Sequence, residues 1–288
     1  MPTPTVPAAF SVVITGASGR MGRAVGARAL ANPAITVAAA VDRADSPVLG
    51  ADFGSLSGGD PCGVSVGSDL PTALSVGTGS DAGSTMSGGP LVVIDFSTPA
   101  ASLQTLAHAV MHNCALVVGT TGFTPPDDAQ FAEAARKIPI IKSGNMSTGI
   151  AILSALVAQA ARHLPDFDVE ITEAHHRHKI DAPSGTALML GEAAAQGRGR
   201  DLVDLRTGPR DGITGAREEG SIGFSVVRGG GIVGDHAVML ASATETLTLS
   251  HHAIDRSLFA DGALRAAAWL GESPREPGLY TMADVLGL

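Results

Sequence analysis

Between residues 173 and 186 the chain reads EAHHRHKIDAPSGT, its densest concentration of reactive side chains. His175, His176, Arg177, His178 and Lys179 are five potentially cationic groups in succession. The chain around them carries 19 Lys and Arg against 28 Asp and Glu, a formal net charge of −9. Such a local inversion of sign suits an anionic substrate, by steering and by direct pairing. Asp181-Ala-Pro-Ser-Gly-Thr then turns into a helix with Ser184 as N-cap, which aims the Gly185 and Thr186 amides at a ligand. A helix N-terminus beside Lys179 and a histidine receives a carboxylate. Lys179 or His175 could also deliver a proton. On a strand, His175 and Arg177 fall on one face and His176 and His178 on the other, as far as the strand continues, so the five do not line one pocket. That divergence makes a poor metal pair, no carboxylate or cysteine falls at ligand spacing, and no metal is expected. The bland alternative is a solvated basic face. A second doublet, His251-His252, reads as packing or capping.

A second chemical motif opens the chain. Gly16-Ala-Ser-Gly19-Arg-Met-Gly22 follows an apolar run and precedes a helical stretch, in the G-x-x-G-x-x-G spacing of a dinucleotide loop. Glycine there lets backbone approach a pyrophosphate, and the N–H groups at the helix start attract its charge. Asp42 ends the second strand, where a carboxylate accepts from a ribose diol. Arg43 follows at once and suits the 2′-phosphate of NADPH, so the pair implies tolerance of NADH and NADPH. Arg20 either contacts the same phosphate or is a solvated first-turn cation. Gly119-Thr120-Thr121-Gly122 leaves a later strand at its carboxyl end, where it either meets the nicotinamide or is an ordinary tight turn. Ser143-Gly-Asn145-Met146-Ser147 stands likewise after the next strand and is also a candidate hinge for domain closure.

These motifs need a scaffold. Strands are expected at Phe10–Thr15, Ile35–Asp42, Leu91–Phe96, Ala115–Val118 and Ile138–Lys142, alternating with helices at Arg20–Ala31, Ala100–Asn113 and Asp127–Lys137. Buried strands alternating with helices imply a Rossmann-like, doubly wound parallel sheet. Gly54–Pro90, with ten glycines and eight serines, interrupts the alternation with one short helical stretch at Ser68–Val76 and a Gly77–Gly89 tail read as flexible loop. The second half differs: a helix at Ile150–Leu164, a strand at Asp168–His176, a helix from Ser184 to about Gln196, a loop at Gly197–Gly220, then strands at Gly223–Arg228, His236–Ser242 and Thr246–Ser250. Successive strands indicate a separate α+β domain with a mixed sheet. A last helix, Arg256–Leu270, and the tail return to the first domain. The expected division is 1–146 with 256–288 for the dinucleotide, and 147–255 for substrate and oligomerisation.

Composition narrows the partners. Hydrophobic residues make up 44%, enough for a sizeable core. The acidic balance argues against nucleic acid or an anionic membrane as partner, and ten aromatics are too few for a base-stacking platform. Cys62 and Cys114 are the only cysteines and match two unpaired thiols in a reducing compartment. No run nears the ~18–20 apolar residues of a membrane span, and MPTPTVPAAF lacks the features of a signal peptide. A soluble cytoplasmic protein is expected.

The block EAHHRHKIDAPSGTA resembles the signature of the dihydrodipicolinate reductase (4-hydroxy-tetrahydrodipicolinate reductase) family. The resemblance extends through GASGRMG at Gly16–Gly22, DFSTP at Asp95–Pro99, GTTGF at Gly119–Phe123 and NMSTG at Asn145–Gly149. It resumes in IGFSVVRGGGIVGDH at Ile222–His236, HHAIDR at His251–Arg256, FADGALRAAAWL at Phe259–Leu270 and GLYTMADVL at Gly278–Leu286. It implies an NAD(P)H-dependent oxidoreductase of diaminopimelate and lysine biosynthesis, acting on a cyclic dicarboxylate and assembled as a homotetramer through the sheets of its second domain. His175 and Lys179 take the acid-catalyst positions, and His176, Lys179, Gly185 and Thr186 those that hold substrate carboxylates. Gly16, Arg20, Met21, Asp42, Gly119, Thr121 and the turn Asn145, Met146 and Ser147 fall at the cofactor contacts, and the reading of the loops themselves adds Gly19, Gly22, Arg43, Thr120 and Gly122. Departures are Gly231 for a common acidic residue, Asp42 for a more familiar glutamate, and the long Gly77–Gly89 insertion. The alternatives are a nucleotide-sensing Rossmann protein without catalysis and a reductase of another cyclic imine.

Overall fold

A computed structural model describes residues 10–77 and 90–288. The expectations for the N-terminal segment and for most of the Gly77–Gly89 insertion lie outside the described residues. The chain forms two compact units, one reaching Met146 and joined by Phe259–Gly287, the other Ser147–Leu258. The return to the first unit thus falls between Leu258 and Phe259, within the last long helix, rather than ahead of it at residue 256.

The elements of the first unit follow in chain order: β1 (Phe10–Thr15), α1 (Arg20–Leu30), β2 (Ile35–Val41), α2 (Phe53–Leu56), β3 (Val66–Gly67), α3 (Leu70–Gly77), β4 (Leu91–Asp95), α4 (Pro99–Met111), β5 (Ala115–Val118), α5 (Pro125–Ala134) and β6 (Pro139–Lys142). The second unit contributes α6 (Thr148–His163), β7 (Asp168–His175), α7 (Gly185–Gly197), α8 (Leu202–Leu205), β8 (Ile222–Arg228), β9 (Asp235–Ala241) and β10 (Thr246–His252). Then come α9 (Ser257–Gly271), β11 (Gly278–Tyr280) and α10 (Met282–Leu286).

The first sheet runs β11-β6-β5-β4-β1-β2-β3, every pair parallel. All six residues of β1 and all five of β4 are buried, as central strands covered on both faces must be. With β2 on one side of β1 and β4 on the other, the strand order reverses there, which makes the carboxyl ends of β1 and β4 the binding rim of a doubly wound sheet. α1 buries Gly22, Val25, Gly26 and Ala29, one face at helical spacing. α5 starts two residues earlier than expected because Pro125 fills its first position and Asp127 accepts the Thr124 N–H at 2.8 Å. Within the glycine-rich stretch, Asp52 organises what periodicity cannot reveal. Its carboxylate accepts Ser55 N–H at 3.0 Å, Cys62 N–H at 3.1 Å and Gly63 N–H at 2.8 Å.

The second sheet runs β10-β9-β7-β8, with β7 and β8 parallel and β9 antiparallel to its neighbours, so it is mixed. Ile150, Leu153 and Val157 of α6 and Leu190 of α7 pack with Val169, Ile171, Val238 and Leu240 of its inner face. Each fully buried Leu, Ile or Val contributes about 1.5–3 kcal/mol. Ser147 caps α6 by accepting Ile150 N–H at 3.2 Å, and Ser184 caps α7 through Ala187 N–H at 3.1 Å. Among the described residues no helix is long and apolar enough to cross a membrane.

Candidate active site

At the rim of the first unit the chain leaves β1 and turns at Gly16, whose φ of +73° lies in the left-handed region. A Cβ on Gly16 would stand 2.3 Å from the Phe96 carbonyl oxygen, and one on Gly22 would stand 2.2 Å from the Gly16 oxygen. Only glycine fits at either position. Gly19 is the N-cap of α1 and has no side chain to cover the first amides of the helix. Asp42 accepts Ser18 N–H at 2.5 Å and Arg43 N–H at 2.8 Å, so it braces the loop while each oxygen keeps a lone pair for a ribose hydroxyl. A cradle that a Cβ would fill, uncapped amides and a carboxylate at its edge fit a dinucleotide.

The other expected cofactor residues differ in what they can offer. Arg20 is exposed at the start of α1, beside half-buried Met21, and Arg43 pairs with Asp45 at 3.0 Å in a well-exposed ion pair. Thr121 and Gly122 are exposed after β5, whereas Thr120 is buried and its Oγ1 accepts Ser97 N–H at 2.9 Å. Ser143 Oγ donates to the Asn145 carbonyl at 2.7 Å. Met146 is 2% exposed and its carbonyl abuts Gly262, so its side chain is not available to a ligand. Ser147, in the second unit, is buried as the α6 cap.

The second unit holds the cationic cluster, organised around Glu173. This carboxylate is 1% exposed and lies on the inner face of β7. Arg228 donates to it through both terminal nitrogens, Nη1 to Oε2 at 2.7 Å and Nη2 to Oε1 at 2.8 Å. Ser184 N–H donates to Oε1 at 2.9 Å, and His175 Nδ1 lies 2.6 Å from Oε2. Burial alone would raise the Glu173 carboxyl. The Arg228 guanidinium, His175 and the Ser184 amide reverse that and hold it below the ordinary glutamate value. Glu173 thereby fixes the imidazole of His175 with Nδ1 toward the carboxylate.

β7 ends at His175, one residue short of expectation, because the Lys179 N–H reaches back to the His176 carbonyl at 3.1 Å and closes a turn. Alternation of faces therefore stops at His175 and does not sort Arg177 from His178. Arg177 and His178 are exposed; His176 and Lys179 are half-buried. Burial, and next the Arg256 guanidinium, lower the His176 pKa. Lys179 Nζ lies 2.8 Å from the half-exposed Asp181 carboxylate. Beyond them α7 begins at exposed Gly185, with Ser184 Oγ 3.1 Å from His236 Nε2. The His175 and His236 rings meet edge to face at 5.1 Å.

His236 is buried, and burial followed by the proximity of His175 pushes its pKa down to about 4. A histidine unfolds toward a pKa of about 6.5, so between those values the unfolded chain binds the extra proton and stability falls as pH is lowered. The contribution is absent above pH ~6.5 and approaches a loss of about 2 kcal/mol by pH ~5. Urea unfolding at the two pH values should show this loss, reduced in His236→Gln; an equal loss in both proteins would place the titration elsewhere.

Glu173, Arg228, His236 and Asp181 had no assigned role in the sequence reading. Glu173 was accessible to it: a residue two before His175 on one strand shares its face. Arg228 and His236 face Glu173 only through the register of β8 and β9. Neither cysteine is bonded, and burial pushes the Cys114 thiol up to about 11, which leaves no thiolate for nucleophilic chemistry.

Residues 10–146 match the family described as dihydrodipicolinate reductase, N-terminus, and residues 149–286 match dihydrodipicolinate reductase, C-terminus. The chain belongs to the dihydrodipicolinate reductase family. It is 50% identical over 281 residues to 4-hydroxy-tetrahydrodipicolinate reductase 1 of Mesorhizobium japonicum, covering 97% of each chain. It is 46% identical to the 4-hydroxy-tetrahydrodipicolinate reductase of Brucella abortus, over 97% of this chain and 99% of that one. Among solved structures it is similar to the dipicolinate-bound dihydrodipicolinate reductase from Paenisporosarcina sp. TG-14, with a TM-score of 0.72 at 25% identity over 96% of this chain and 98% of the other. The Rossmann-like sheet with a second mixed sheet is thus the family's fold, and the chain is an oxidoreductase of a family that works with a nicotinamide cofactor.

Proposed function

We propose that this chain reduces 4-hydroxy-tetrahydrodipicolinate, by way of dihydrodipicolinate, to tetrahydrodipicolinate. The observation that carries this reading is the Glu173-fixed His175 beside Lys179 and the start of α7. The activity for which the relatives are named supports it, and so does the dipicolinate held by the solved relative. The Gly185 and Thr186 amides receive one carboxylate, as the first amides of a helix do. His176 and the Lys179 ammonium receive the other; with Asp181 half-exposed, the Lys179–Asp181 pair is worth about 1 kcal/mol, so a substrate carboxylate displaces Asp181 readily.

When bound, a reduced nicotinamide supplies hydride to a ring carbon conjugated with the C=N. The electron pair displaced onto the resulting enamine takes up a proton, and Lys179 donates it from Nζ to the neighbouring ring carbon. His175, its Nδ1 held by Glu173, anchors and orients the substrate rather than giving up the proton. Gly16, Gly19, Gly22 and Asp42 hold the nucleotide with the Gly119–Gly122 turn and Asn145. Asp42 suits the ribose diol of NADH and Arg43, once released from Asp45, the phosphate of NADPH, so both serve. The same reading makes the protein a cytoplasmic homotetramer assembled through its second sheet, whose face opposite α6 and α7 exposes Val227 and Met239.

A coupled assay with freshly made synthase product tests the reaction. Absorbance of NADH and of NADPH should fall at comparable rates; no consumption of either would overturn the reading.

A further inference from the structure

Asp95 ends β4 at the binding rim and is 0% exposed, yet no cation among the described residues pairs with it. Its two oxygens are treated very differently. Oδ1 accepts Ser97 N–H at 2.9 Å, Ser97 O–H at 2.6 Å and Thr120 O–H at 3.3 Å. Oδ2 is buried and has no hydrogen-bond partner, and the same is true of the hydroxyl of Thr15, its register partner on β1. Burial raises the Asp95 pKa against the hydroxyl and amide donors that oppose it.

The turn that Asp95 fixes is wedged between two loops of the first unit. On one side the Phe96 carbonyl oxygen fills the space a Gly16 Cβ would need, and Phe96 N–H bonds the Thr15 carbonyl at 3.3 Å. On the other, Gly119 N–H bonds the Asp95 carbonyl at 2.9 Å, and a Gly119 Cβ would strike the Phe96 ring at 2.0 Å. Thr120 Oγ1 completes the tie by accepting Ser97 N–H.

We infer that Asp95 is a positioning residue for the nucleotide. It sets the spacing of the Gly16 and Gly119 loops through Ser97 and Thr120 without touching the ligand. The inference rests on the proposed nucleotide site and deepens it.

The test compares wild type with Asp95→Asn, Asp95→Ala and Ser97→Ala, measuring NADH and NADPH binding by nicotinamide fluorescence, substrate KM, and Tm. Asparagine keeps an oxygen that accepts from Ser97 and Thr120 and should bind both nucleotides within about 3-fold of wild type. Alanine should weaken nucleotide binding by about 10-fold or more, while substrate KM moves by less than about 2-fold. If the alanine protein does not fold, Ser97→Ala, which removes one donor, should still weaken nucleotide binding by about 3-fold or more. Asparagine binding as weakly as alanine would overturn the part given to the acceptor oxygen. Unchanged binding in alanine, or in Ser97→Ala where alanine does not fold, would overturn the positioning role. Failure of wild type to bind either nucleotide would instead overturn the proposed site itself.

Discussion

Replacing Lys179 with alanine should lower kcat by about 10²–10⁴, the range for loss of a general acid. Nucleotide binding should hold within about 2-fold, because the ammonium makes its contact at Asp181, in the other unit from Gly16 and Asp42. Lys179→Arg sharpens the result. It keeps the positive charge that pairs a carboxylate but replaces a transferable proton with a guanidinium that stays protonated. Substrate KM should therefore recover in the arginine variant while kcat stays low. Steady-state kinetics with saturating nucleotide measure both, and full turnover in either variant would remove Lys179 as the proton donor. His175→Asn should act mainly on KM, as expected of an anchor.

The second large effect is on Glu173. Its removal leaves Arg228 without its bidentate partner, the Ser184 amide without an acceptor, and His175 Nδ1 without the group that orients it. Arg228, one-fifth exposed, keeps its bonds to the Val227 and Asp181 carbonyls, so the cost is that of the lost charged hydrogen bonds and the stranded Ser184 amide, about 1–3 kcal/mol. Glu173→Ala should lose that much stability in urea at neutral pH and raise substrate KM as His175 loses its orientation. Glu173→Gln keeps an acceptor oxygen and should lose less. Since the Glu173 pKa is held down in the folded chain, its stabilisation is present at neutral pH and disappears as acid protonates it below the ordinary glutamate range. Acid therefore removes the Glu173 contribution after the His236 loss has begun, in the same direction. A loss under about 1 kcal/mol in Glu173→Ala would show that Arg228 is effectively solvated.

The sheet was legible where strands are long and buried. Phe10–Thr15 and Ala115–Val118 have the bounds their apolar runs indicate. α2, β3, α8, β11 and α10, at two to five residues each, carry too little period to stand out and are held by tertiary bonds such as those of Asp52. At the site, residue chemistry was enough to single out His175, Lys179 and the Ser184 cap. The network behind them was not, because Arg228 stands 55 residues from Glu173 and His236 stands 52 from Ser184 in the chain. Charge counting also overstated the local positive field, since Glu173 lies against His175 and Lys179 is shared with Asp181.

The order of the elements has a consequence for biosynthesis. β6 waits for β11, and the first unit for most of α9, until more than a hundred intervening residues have been translated. During that interval β6 is an open edge able to pair with a neighbouring nascent chain. The polypeptide emerging from the ribosome can thus complete its middle portion before its beginning. The first unit is complete only when the C-terminal stretch returns to seal that edge.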